Sequence, residues 1–277
     1  MSGLFLIPIV VFLVLYISSL WFLAVTFIVT LYGLWEYNNF VLKDAPGDGD
    51  HGAHGAHGGA GSFALIGALV GAFLPVCAYW YGPFLILPFF ALCIVIFSFL
   101  SYISRRDGRG LVADLSLRML GVVYVSLLLT HFLLLRESRD GHWWLLFALV
   151  IVWAGDTSAY YGGRRFGKRK LAPKISPNKT VEGAFAGIIG SMAAGVIFVQ
   201  IFSLSLPVFL TLLMGALAGG AGILGDLFES YLKRRAGVKD SGRLIPGHGG
   251  LLDRIDGTLF AVPVVYYFLF FTGVSWG

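Results

Sequence analysis

The chain has 277 residues, of which 57% are hydrophobic and only 13% charged, with a mean hydropathy of +0.82. Soluble domains carry roughly 45–50% apolar and about 25% charged residues, so an ordinary soluble domain is excluded and a membrane protein is expected. The formal net charge of +5 comes largely from a few loops, as topology requires, and is no sign of nucleic-acid binding. The two cysteines, Cys77 and Cys93, lie in apolar runs and argue against a disulfide framework.

Nine apolar segments come near the ~20 residues that a bilayer-crossing helix needs. They lie at 4–18, 20–37, 62–80, 82–103, 111–135, 143–162, 181–203, 206–229 and 257–275. The predicted fold is an all-α, polytopic integral membrane protein. Its N-terminal spans cover 1–105, and a catalytic domain carrying the polar motifs covers 106–277. The opening "MSGLFLIPIVVFLVLYISSL" lacks a basic n-region and a small-residue cleavage site, so it reads as a retained helix. It barely breaks from the second segment at Ser18 and Ser19, which leaves the boundaries within 3–41 open. The loop over 43–62 is a Gly-rich linker in which His51, His54 and His57 recur at a spacing of three, as in metal-binding tracts.

Charge then sets the orientation. Of 20 Lys and Arg, 16 fall within 105–109, 164–179 and 233–254, the loops after the fourth, sixth and eighth segments. These loops share one face, and the positive-inside rule makes it cytoplasmic. Seven cations within 164–179 exceed what orientation needs and point to anionic headgroups or phosphates.

Acids inside apolar spans are costly and functional by default. Asp114, Asp156, Glu182, Asp226 and Glu229 stand out. Asp114 precedes Arg118 by four residues, a helical spacing that permits a structural ion pair. Asp156 lies in "WAGDTSAYYGGRRFGKRKLAPKISPNKTVEG", where Pro173 and Pro177 argue against a continuous helix. In "GDLFES" and just beyond it, Asp226, Glu229, Ser230 and Lys233 share one helix face by i, i+3, i+4, i+7 spacing. "GHGGLLDRID" places Asp253 and Asp256 three apart at the start of the last segment. Two such carboxylate-bearing helix ends make an oxygen-only donor set, suited to a hard cation such as Mg²⁺. No Cys/His cluster, P-loop or Gly-x-Ser-x-Gly elbow is present. His248 lacks an evident nucleophile partner but has glycine neighbours that permit close ligand approach. Mg²⁺, a field of Lys and Arg, and backbone freedom at glycine are the requirements of phosphoryl or nucleotidyl transfer.

"SYLKRRAGVKDSGRLIPGHGGLLDRID", over 230–256, closely resembles the signature of the phosphatidate cytidylyltransferase (CDP-diacylglycerol synthase) family. "WAGDTSAYYGG", Gly167-Lys168, "SPNKTVEG" and "GDLFES" resemble its companion motifs in the same order, so the likeness covers roughly 150–257. It implies a Mg²⁺-dependent, homodimeric integral enzyme of the cytoplasmic (inner) membrane. That enzyme transfers the cytidylyl group of CTP to phosphatidate, releases pyrophosphate, and has its active site facing the cytoplasm. A potassium ion beside the magnesium is also implied. Carried over by motif, Asp226 and Asp253 would be metal ligands, Asp256 a helper, and Asp156 a polar anchor or further cation ligand. Lys233, Arg234, Lys239 and Arg254 would meet phosphates. Lys174, Ser176, Asn178, Lys179 and Thr180 would form a second wall of the substrate site. Ser230, His248, Gly249 and Gly250 complete the expected set, the glycines by letting backbone approach phosphates. The 43–62 loop departs from the family pattern. Another membrane lipid-phosphate transferase is a weaker reading, and the DGxxAR pattern of one such class is absent. A transporter is weaker still, because the acids gather at helix ends beside cations instead of being strung across the span.

Overall fold

The structure, a computed structural model, describes residues 2–41, 57–104, 111–242 and 249–274, without the side chains of 2–6, 57–64 and 104. It is an all-α membrane protein. Seven helical stretches among the described residues are long and apolar enough to cross a bilayer. The helices are α1 (Ser2–Tyr16), α2 (Ser19–Val41), α3 (His57–Tyr81), α4 (Ile86–Ser104), α5 (Leu111–Gly121), α6 (Leu128–Arg136), α7 (Gly141–Phe166), α8 (Val181–Ile201), α9 (Val208–Arg235) and α10 (Leu252–Thr272). A π turn, Val122–Leu127, joins α5 to α6, so the two make one stretch. Among the described residues the one sheet is a small antiparallel hairpin, β1 (Lys170–Ala172) and β2 (Ser176–Thr180), with Lys170 opposite Thr180 and Ala172 opposite Ser176. Pro173 and Pro177 lie in its turn and its second strand, which is why the polar segment leaves the helix between α7 and α8.

The chain divides into two compact units that interleave in sequence. The first comprises Met1–Phe22, His131–Tyr231 and Ile255–Gly277; the second comprises Leu23–Thr130 and Leu232–Arg254.

In the first unit, α8 packs along α7 through small residues. A Cβ at Gly187 would press on Ala159, one at Gly162 on Ala186, and one at Gly190 on Ser158. Lipid tails are as apolar as leucine, so helices in a bilayer associate by close backbone approach and by polar bonds between helices. One such bond runs from Ser191 Oγ to the Ile151 carbonyl at 2.8 Å. At the far end of the unit, Arg136 clips the end of α1. Its guanidinium donates to the carbonyls of Val14 (3.1 Å) and Ile17 (2.5 Å) and lies over the Phe22 ring.

In the second unit, a short 3₁₀ turn over Gly82–Leu85 folds α4 back against α3 around Leu74, Phe89, Cys93, Phe97 and Leu100. Asp114 and Arg118 form the pair their spacing allows, at 2.8 Å, and Ser101 Oγ donates to Asp114 at 2.6 Å. Both charges are buried, and each is compensated by the other. The π turn follows directly, and Tyr37 of α2 donates its hydroxyl to the Leu117 carbonyl at 3.0 Å.

Candidate functional site

The first unit gathers carboxyl groups. Asp226 on α9 is met by the Lys179 ammonium from β2, and Ser230, one turn on, donates to its other oxygen at 3.4 Å. The helix-face spacing read from the sequence is thereby realised. Asp156 of α7 lies within electrostatic reach of Asp226 and Lys179. Asp256 of α10 lies within reach of Asp226 and Asp156 and shares a hydrogen bond with the fully buried Glu229. The basic hairpin is tied to the same unit at its base. Thr180 caps α8 by accepting from Gly183 N (3.1 Å), and Glu182 accepts from the backbone of Lys168 (3.0 Å) and Arg169 (3.2 Å). With the backbone pinned in this way, the side chains of Lys168, Arg169, Lys170 and Lys174 project from an exposed surface.

The donor set of Asp156, Asp226, Asp256 and Glu229 is all oxygen, without thiolate or imidazole, and so fits Mg²⁺ chemically. Among the described residues no three His, Cys, Asp or Glu side chains form a ready-made metal group.

The second unit organises its acids differently. α9 ends in a Schellman cap: Val238 N bonds to the Lys233 carbonyl (2.9 Å), Gly237 N bonds to that of Arg234 (3.2 Å), and Gly237 has φ +65°. The chain turns there and brings Ser241 to Asp253. Asp253 accepts from Lys233 Nζ (2.5 Å), Ser241 N (2.9 Å), Ser241 Oγ (2.9 Å) and Gly250 N (2.8 Å). Gly249 has φ +80°, and a Cβ on it would strike the Asp253 carboxylate. Glu36 of α2, 1% exposed, accepts from Ser241 Oγ, Leu251 N (2.9 Å) and Leu252 N (3.0 Å). Glu36 and Asp253 thus cover the amide groups that open α10, where the helix dipole favours negative charge.

The residues expected at the site therefore fall into two sets. Asp156, Lys174, Ser176, Asn178, Lys179, Thr180, Asp226, Ser230 and Asp256 belong to the first unit; Lys233, Arg234, Lys239, Gly249, Gly250, Asp253 and Arg254 belong to the second. Within the first set, Lys179, Asp226, Ser230, Asp156 and Asp256 are brought together, Ser176 and Asn178 lie on β2, and Lys174 lies in the hairpin turn. The Thr180 hydroxyl is taken up as a helix cap. Within the second set, Lys233, Gly250 and Asp253 are joined, while Arg234, Lys239 and Arg254 are exposed. His248 and the loop histidines His51 and His54 lie outside the described residues, as does the side chain of His57. The sequence reading overlooked Glu36. Its signal was present in "LWEYNNF", an acid deep in an apolar span, and the same argument that singled out Asp226 applies to it.

A family model described as "Cytidylyltransferase family" matches residues 1–272. A phosphatidate cytidylyltransferase of Staphylococcus epidermidis is 43% identical over 170 residues, 61% of this chain and 64% of the relative. One of Bacillus subtilis is 42% identical over 151 residues, 54% of this chain and 56% of the relative. One of Haemophilus influenzae is 47% identical over 142 residues, 49% of each chain. The chain thus matches less than two thirds of the length of these relatives. With a family match over nearly its whole length and these identities, the chain belongs to the cytidylyltransferase family.

Proposed function

We propose that this chain transfers the cytidylyl group of CTP to phosphatidate. A phosphate oxygen of phosphatidate forms a bond to the α-phosphorus of CTP, the bond from that phosphorus to the bridging oxygen breaks, and pyrophosphate leaves with the electron pair. The nucleophile is already ionised at neutral pH, so the site needs no general base, and catalysis reduces to positioning and charge neutralisation. The observation that carries the reading is the ion pair of Asp226 with Lys179 of the basic hairpin, with Asp156 and Asp256 within electrostatic reach of Asp226, all within one unit. The related phosphatidate cytidylyltransferases support the same pair of substrates.

In this proposal Asp226 and Asp256 hold Mg²⁺, with Asp156 beside them. Asp253, whose oxygens already meet Lys233, Ser241 and Gly250, shapes the turn instead. When bound, Mg²⁺ would neutralise charge on the transferring phosphoryl group and on the leaving pyrophosphate. Lys179 orients Asp226 and presents a cation to the triphosphate. Lys168, Arg169, Lys170 and Lys174 offer the bilayer-side phosphate of the lipid a basic surface. In the second unit, the exposed Arg234, Lys239 and Arg254 are the proposed phosphate contacts.

The proposed topology has nine spans, counting α1 and treating the 39-residue apolar run Leu65–Ile103 as the hairpin of α3 and α4. The basic loops then face the cytoplasm, and the enzyme works as a homodimer in the inner membrane. Purified protein in mixed micelles, given CTP and phosphatidate, is expected to release pyrophosphate and form CDP-diacylglycerol in equal amounts, only with Mg²⁺ present. Absence of both products, with ion leakage from liposomes instead, would replace this reading with a transporter.

A further inference from the structure

Glu36 lies in α2, roughly two hundred residues in sequence from the groups it touches. A carboxylate buried in an apolar span costs several kcal/mol unless donors compensate it. Here they do: Oε1 accepts from Ser241 Oγ and Leu252 N, and Oε2 from Leu251 N. The fit is close on both sides of the turn. A Cβ at Gly242 or at Gly250 would collide with the Glu36 carboxylate, so both glycines are required by its approach.

Ser241 connects this anchor to Asp253. Its hydroxyl lies against both Glu36 Oε1 and Asp253 Oδ2, yet it has one proton to donate. Its backbone N–H makes the second bond to Asp253, and Lys233 holds the other carboxylate oxygen at 2.5 Å. A change at Glu36 is therefore passed to Asp253 and Lys233 through Ser241 and through the start of α10.

We propose that Glu36 is a positioning residue for cytidylyl transfer: by fixing Ser241 and the backbone of Leu251 and Leu252, it sets where Asp253 and Lys233 stand. The inference rests on the reading given under Proposed function and deepens it, since Lys233 and Asp253 are the chain neighbours of the proposed phosphate contacts Arg234 and Arg254 and set where those contacts stand. It extends the machinery beyond the polar motifs into an N-terminal helix.

The test uses full-length Glu36→Ala and Glu36→Gln proteins in lipid nanodiscs. Misplacement of this kind costs on the order of 100-fold, and Glu36→Ala is expected to lose that much in kcat per folded enzyme, while KM for CTP moves less than about threefold. Glu36→Gln keeps one acceptor oxygen and is expected to recover about tenfold of the loss. A purely structural role would lower the yield of folded protein equally for both variants and leave kcat per folded enzyme unchanged. Hydrogen exchange supplies a readout independent of activity. The Leu251 and Leu252 amides are expected to exchange at least about tenfold faster in Glu36→Ala. Unchanged exchange there, or kcat within about threefold of the parent, overturns the inference. A parent protein that transfers no cytidylyl group overturns the functional reading itself, and the exchange data still show whether Glu36 holds the turn.

Discussion

The two units treat their acids in opposite ways. In the first, Asp156, Asp226, Asp256 and Glu229 lie within electrostatic reach of one another, and the Lys179 ammonium pairs with Asp226. In the second, Glu36 and Asp253 are met by Lys233, the Ser241 hydroxyl and four backbone N–H groups, those of Ser241, Gly250, Leu251 and Leu252. Satisfied carboxylates build structure, because removing one leaves aligned donors without an acceptor. Crowded carboxylates cost stability in the absence of a cation and become useful when one binds. We propose cation chemistry for the first group, and for the second the positioning of the turn before α10 on which the same reaction depends.

Substitutions should therefore separate activity from stability. The largest effect is expected at Asp226: Asp226→Asn should lower turnover by on the order of 10³-fold. Its melting temperature in detergent should hold or rise, since one of the crowded charges is gone. A marked drop in melting temperature would erase the distinction between the units. Next comes Lys179→Met, expected to lose about 10- to 100-fold in turnover while remaining folded. Pyrophosphate release at saturating Mg²⁺ measures it, and full activity would detach the hairpin from the site.

Ser241→Ala probes the architectural group. It removes the hydroxyl that links two buried carboxylates and should cost about 1–3 kcal/mol, read from chemical denaturation in mixed micelles. The smallest expected effect is at the hairpin base. Thr180→Ala should cost about 1 kcal/mol through loss of the α8 cap, with Thr180→Ser restoring it. A Ser variant no better than Ala would mean that the cap contributes nothing.

Much of this was legible in the sequence, for reasons particular residues make clear. The apolar runs mark the spans because a bilayer forces each backbone amide into an intrahelical bond. Asp114 and Arg118 announce their pair by local spacing, as do Asp226 and Ser230. Pro173 and Pro177 mark the break in helix, but the β1–β2 hairpin was missed. Its strands are short and polar, without the alternation that identifies a half-buried strand. The contacts of Glu36 were out of reach because no local period relates residues more than two hundred positions apart. Gly249 and Gly250 were expected to make room for phosphates; in the structure the room beside them is filled by Asp253 and Glu36.

The central claim is that the crowded carboxylates of the first unit are where a divalent cation binds. Mn²⁺ binding to the purified protein, followed by electron paramagnetic resonance and competed with Mg²⁺, tests it without reference to turnover. The parent protein should bind Mn²⁺ displaceably, and Asp226→Asn and Asp256→Asn should each weaken binding by about tenfold or more. Equal Mn²⁺ affinity in the parent and both variants would contradict it.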